Sequence, residues 1–144
     1  LTYLGKDVER GIWYEIIYEP TDDSYEYEVN SSGYVVPSVK VKYSVKSLSG
    51  TTYIEDTTGT TYELGGSNAN ANVINQTWLN SFFPYSVAYN GKTYYFKGLT
   101  EKGLKTGSKI KVVTPSVWAF DTQTVGKIPA NEPLVYEFEV LDIK

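Results

Sequence analysis

The chain has 144 residues, 41% of them apolar and 21% charged, which is one folded domain's worth of length and composition. It carries a net charge of −4 and contains no cysteine, no histidine and no methionine. That excludes disulfides, thiolate nucleophiles, Cys-built zinc sites and every Ser-His-Asp or Cys-His mechanism, and leaves carboxylates, hydroxyls, lysines, backbone amides and apolar pockets.

The charge is unevenly spread: −6 over residues 1–33, +5 over 34–111 and −3 over 112–144. The lysine-rich middle lacks any RRM, KH or zinc-finger pattern, so it reads as a solvated sheet face and no nucleic-acid partner is expected. No apolar run approaches the roughly 18 residues that a membrane-spanning helix needs. With no methionine at residue 1, a mature or trimmed form is expected, with an upstream signal or anchor removed.

Tyr14–Tyr18 and Tyr25–Val29 read as strands, the second alternating strictly, with Pro20-Thr21-Asp22-Asp23 as the turn between them. Asp22 and Asp23 match no EF-hand spacing. Val39–Val45 is a period-2 strand whose valines and Tyr43 face one way and whose lysines face the other. Gly50 and Gly59 bracket Thr51–Ile54, and Thr60–Leu64 follows as a further strand segment. Glu55 and Asp56 are neighbours on a strand, so they point to opposite faces and do not form an acid–base pair.

Residues 65–72 are a polar loop of glycine, serine, asparagine and alanine. Ile74, Trp78, Leu79, Phe82 and Phe83 follow at helical spacing, and Pro84 stops the run. Asn90-Gly91 between strand-like flanks predicts a tight hairpin. Leu99–Lys105 is a short helix candidate, with Glu101 and Lys105 four apart. Lys109–Val113 is a strand, Pro115–Pro133 a long loop in which Trp118 reads as core, and Leu134–Ile143 an alternating final strand. The sum is an α+β fold: an antiparallel sheet with one or two short helices, in a single domain over 1–144.

Residues 104–143 carry a family pattern. Gly107, Pro115, Ala119-Phe120, Ile128-Pro129 and Leu134-Val135-Tyr136 fall in the order and near the spacing of the C-terminal half of FKBP-type peptidyl-prolyl cis-trans isomerases, which this segment resembles. Gly11–Ile16 resembles the family's opening strand, and Val39–Tyr43 with Gly50 and Tyr53 resembles the strands that follow. Residues 65–94 read as an inserted helix and hairpin segment.

The resemblance implies rotation about X–Pro bonds, a barrier of about 18–20 kcal/mol set by amide resonance. A dry apolar site withdraws water from the carbonyl oxygen and so weakens the double-bond character, with no nucleophile, metal or cofactor. The implied site residues are Tyr43, Phe96, Phe120 and Tyr136 at the reacting bond, with Tyr53, Tyr62, Tyr95, Leu99 and Ile128 as further walls. The Phe96 backbone amide is implied as donor to the bound peptide. Three positions depart from the family: Leu99 stands for its tryptophan, Phe120 for its substrate-binding tyrosine (with Asp121 for the following glycine), and Ile54 for its aspartate. A second register has Val73-Ile74-Asn75-Gln76-Thr77-Trp78 supplying the Val-Ile…Trp element; the first is preferred because Leu99 lies close to Leu104–Gly107. The expected partners are proline-containing polypeptides, the expected state a monomer, and the expected location the cell envelope or outside it. A non-catalytic peptide-binding module on the same fold is the alternative, and a carbohydrate-binding domain using exposed Tyr and Trp a third reading.

Overall fold

The computed structural model describes residues 11–21 and 24–144, together with the backbone of two short strands, β1 (Thr2–Tyr3) and β2 (Lys6–Asp7). Asp22 and Asp23, on which the expected turn depended, lie outside the described residues. The further strands are β3 (Trp13–Tyr18), β4 (Val29–Asn30), β5 (Gly33–Tyr34), β6 (Ser38–Ser47), β7 (Thr52–Glu63), β8 (Ser86–Tyr89), β9 (Lys92–Tyr95), β10 (Lys109–Thr114) and β11 (Leu134–Ile143). One α-helix, α1 (Gln76–Phe82), precedes β8, and a single 3₁₀ turn covers Ser116–Trp118.

Five strands form one antiparallel sheet in the order β3-β10-β11-β6-β7. The final strand is therefore central, and its alternation gives it one buried and one more polar face. Leu134, Tyr136, Phe138 and Val140 of β11 are buried, and so are Val39, Val41, Tyr43 and Val45 of β6. The register sets Tyr43 beside Phe138 and Val45 beside Tyr136, so one face of both strands forms a continuous apolar floor. Trp78 and Phe82, fully buried on α1, cover that floor.

Local departures from the sequence reading have visible causes. The two segments expected around Gly59 are one strand, β7, interrupted by a bulge: Tyr43 pairs with Asp56 and Val41 with Thr60. Gly59 sits there at φ +104, and the Asp56 carboxylate accepts from the Thr58 and Gly59 amides (3.0 and 2.8 Å) and the Thr60 hydroxyl (2.6 Å). These three bonds hold the Asp56 carboxyl below its usual range, the Thr60 bond first. Within Tyr25–Val29 only Val29 joins a ladder, although Tyr27 and Val29 turn inward as the alternation requires. Tyr27 instead donates its hydroxyl to the Leu104 carbonyl at 2.8 Å.

Leu99–Lys105 is not helical. Its amides are spent on α1 and the chain that follows it: Leu99 N–H reaches the Asn80 carbonyl (2.8 Å), Leu104 N–H the Phe82 carbonyl (2.9 Å) and Gly98 N–H the Pro84 carbonyl (3.2 Å). A seven-residue helix leaves its last carbonyls unsatisfied, and this segment supplies two of them with partners. The Asn90-Gly91 hairpin is as expected: both residues have positive φ, 50 and 74, the backbone of a type I′ turn joining β8 to β9. Trp118 is 37% exposed rather than core, because it ends the 3₁₀ turn, where its carbonyl accepts from the Thr77 hydroxyl at 2.9 Å.

Candidate functional site

One face of the sheet, the N-terminal end of α1 and the 115–133 loop meet over an aromatic cluster. Trp78 lies at its centre. Its ring stands 5.0 Å from that of Tyr43, 5.3 Å from Tyr62 and 4.8 Å from Phe138, each edge-on. Tyr136 stacks on Phe138 at 5.3 Å. Edge-on and offset contacts of this kind suit the ring quadrupoles and fix the rings in place.

Asn75 caps α1 and faces the same cluster. Its side-chain oxygen accepts from the Trp78 amide at 3.3 Å, and its Nδ2 donates to the Tyr136 hydroxyl at 2.8 Å. One asparagine thus ties the helix start to the central strand. Burial pushes the Tyr136 phenol up to about 12, the Asn75 bond working against it. Burial, then a hydrogen bond with Tyr62, pushes the Tyr43 phenol up further. Tyr136 and Tyr43 are therefore neutral phenols at ordinary pH. The Trp78 indole N–H is buried and has no hydrogen-bond partner among the described residues.

The expected site residues divide into two groups. Tyr43, Phe120, Ile128 and Tyr136 are buried in the core cluster, and Tyr53, Tyr62, Phe96 and Leu99 pack partly buried against it, the last two from the hairpin's exit. Phe120 and Ile128 arrive from the 115–133 loop. A reciprocal Val125–Ile128 backbone pair (3.0 and 2.9 Å) turns that loop at Gly126, φ +57. Tyr53 stands near Glu132 at the loop's far end.

Tyr95, Phe96 and Leu99 belong to the hairpin and its exit. Tyr95 is 64% exposed, with its ring against Tyr85. Phe96 packs on Tyr34 and Phe83, and its amide donates to the Tyr85 carbonyl at 3.0 Å. The tryptophan against the sheet's aromatic floor is Trp78, on the helix, with Val73 and Ile74 leading into it. The Ile74 amide donates to the Asn70 carbonyl at 2.7 Å. The sequence reading prefers the first register; the helix forms at Trp78, capped by Asn75, and Leu99–Lys105 is not helical.

No family model matches the chain. A 42-residue segment is 45% identical to the FKBP-type peptidyl-prolyl cis-trans isomerase FkpA of Buchnera aphidicola subsp. Acyrthosiphon pisum, covering 29% of this chain and 17% of that protein. The crystal structure of FkpA from Escherichia coli shares the fold, with a TM-score of 0.57 and 23% identity, over 93% of this chain and 48% of that one. The chain thus spans less than half the length of the proteins it matches. The fold is similar to that of FkpA, an antiparallel sheet with one short helix among the described residues, and the matched segment is similar to an FKBP-type protein. No helix among the described residues is long and apolar enough to cross a membrane.

Proposed function

We propose that the chain is an FKBP-like domain that binds proline-containing polypeptides over the Tyr43–Tyr62–Trp78–Tyr136 cluster and catalyses rotation about their X–Pro bonds slowly, as a folding helper. The observation that carries this reading is the cluster itself: indole at the centre, phenols around it, and no charged side chain among those rings. Such a floor excludes water from a bound amide and favours the twisted form, in which the carbonyl is less polar. With Trp78 supplying the indole, the departure at Leu99 loses its weight. Those at Phe120 and Ile54 remain.

A binding module without catalysis is the second reading, and one observation favours it. The Ile74 and Phe96 amides, one for each register, both donate to carbonyls of the chain itself. A peptide that takes either amide must displace an internal bond.

A proline-limited refolding assay separates the two. Acceleration over the uncatalysed rate supports the isomerase; an unchanged rate at high protein concentration, with peptide still bound, leaves the binding module. Phe120→Tyr restores a hydroxyl over the site and is expected to raise the rate about 2–13-fold, the worth of one hydrogen bond. We also read the chain as a monomer acting in the cell envelope or outside it, by analogy with the family; sedimentation and fractionation check these.

A further inference from the structure

Strand β3 pairs with β10 alone, and no backbone hydrogen bond ties Trp13–Tyr18 to any other described residue. The N–H and C=O groups that point away from β10 are therefore left for a further strand. The straight part of this edge is short. Trp13, Tyr14, Glu15 and Ile16 pair in step with Val113, Val112, Lys111 and Ile110, and Ile17 is the extra residue of the bulge.

The two faces of the edge differ in what they can accept. On the core side, Tyr14 and Ile16 continue the rows of Val112 and Ile110, which are 0% exposed, yet are 47% and 44% exposed themselves. The apolar layer runs out at β3 with ring and aliphatic surface still in water. On the outer side, Trp13 and Glu15 share a face with Val113 and Lys111. Glu137, Lys111 and Glu15 follow one another in register across β11, β10 and β3, their signs alternating. Nothing among the described residues continues that row, and Glu15 makes no ion pair with any of them. Trp13, 76% exposed, lies two residues along on the same face.

We propose that the free edge of β3 over Trp13–Ile16 takes an extended segment of a partner protein as a sixth strand, with a lysine or arginine opposite Glu15 between two aliphatic residues. This edge shares no residue with the Tyr43–Trp78 cluster, and the proposal does not depend on the isomerase reading. Carboxylate and indole select the same charge. A cation opposite Glu15 completes the alternation, and opposite charges directly across a ladder are favourable where like charges are not. The face of the indole beside it attracts a cation and repels an anion. The residues on either side of that cation point to the core side, by the two-residue period, where Tyr14 and Ile16 offer them apolar surface. Main-chain bonds supply the affinity of such a docked strand, and the side-chain positions supply the choice. A second copy of this chain is the wrong occupant: antiparallel and centred on the same edge, it sets Glu15 against Glu15. The carboxylate that turns like strands away is thus the one that admits a basic strand, and the bulge confines docking to the four residues before it.

Three capped peptides, Ser-Thr-Val-Xaa-Val-Thr-Ser with lysine, threonine or glutamate in the middle, test this when titrated into the whole nitrogen-15-labelled chain, whose amide shifts read both place and affinity. The lysine peptide is expected to move the amides of residues 13–16 and to bind about 2–5-fold more tightly than the threonine peptide, which binds about 2–5-fold more tightly than the glutamate peptide. Glu15→Lys is expected to invert that order and Glu15→Gln to level it. Glu15 is exposed, so both variants keep the core, which circular dichroism verifies. No shift at residues 13–16 with the lysine peptide at millimolar concentration overturns the proposal. So do equal affinities for the three peptides, an order that Glu15→Lys leaves unchanged, and shifts confined to the Tyr43–Trp78 cluster. Shifts of the same amides that follow the concentration of the unaltered chain alone overturn it in favour of a second copy.

Discussion

Trp78 concentrates the residue-scale argument, because it is both the centre of the packing and the holder of an unpartnered donor. Trp78→Ala removes the ring that Tyr43, Tyr62, Phe82 and Phe138 all contact and is expected to cost about 3–5 kcal/mol. Trp78→Phe keeps much of the ring and removes an indole N–H whose burial is itself unfavourable by about 1–3 kcal/mol. It should therefore cost clearly less, under about 2 kcal/mol in urea denaturation at unchanged m-value. Equal losses in the two variants would mean that the indole N–H is satisfied.

The buried phenols make a second prediction at this scale. Tyr136 titrates near 12 in the folded chain, and Tyr43 and Tyr27 are likewise raised, against 10.0 for an ordinary tyrosine; burial is the leading cause in each. Between pH 10 and 12 the unfolded chain releases protons that the folded chain keeps, so stability falls as pH rises through that window. Below pH 10 these groups give no slope. Urea midpoints measured at pH 8, 10, 11 and 11.5 check this; a midpoint that holds level to pH 11.5 contradicts it.

At the scale of elements, the segment 98–104 matters more than its irregular form suggests. It supplies donors to the end of α1 and to the turn after it, and it must lie close to do so. A Cβ on Gly98 would run into the Phe83 carbonyl and come within 2.7 Å of the Pro84 oxygen. Gly98→Ala is therefore expected to cost about 1–3 kcal/mol through backbone separation. Gly11→Ala, where nothing lies within 4 Å, is expected to stay within about 0.5 kcal/mol. A thermal or urea comparison of the pair reads the difference.

This segment also marks where the sequence was opaque. Strands β6 and β11, the hairpin at Asn90-Gly91 and the helix around Trp78 declare themselves by period or turn chemistry, which are local signals. Whether Leu99–Lys105 coils depends on which carbonyls need its amides, and those belong to residues some twenty positions earlier. The same limit governed the site. Tyr43, Phe120, Ile128 and Tyr136 were legible because they stand in ordered motifs on one sheet face and one loop. That Trp78 rather than Leu99 lies against Tyr43 and Phe138 is a three-dimensional contact that no local signal announces. Asn75 carried a helix-cap signal, but its bond to Tyr136, 61 positions away, left none.

For the whole molecule, the sheet order sets where the chain is firm and where it is vulnerable. β11 pairs on both sides, whereas β3 pairs with β10 alone, at the sheet's edge. All six residues of β3 are exposed, Trp13 at 76% and Ile17 at 54%. An exposed apolar edge strand invites another chain to pair with it. Two features work against that here. Glu15 places a charge in the middle of Trp13–Tyr18, and the register breaks at Ile17, opposite the step between Lys109 and Ile110, so the edge is bulged. Glu15→Val removes the charge and leaves the bulge. Sedimentation velocity over increasing concentration is expected to show the unaltered chain as a single slow species and the variant shifting to larger ones. If both stay single, the bulge alone protects the edge; if both associate, the charge was never sufficient and the monomer reading fails with it.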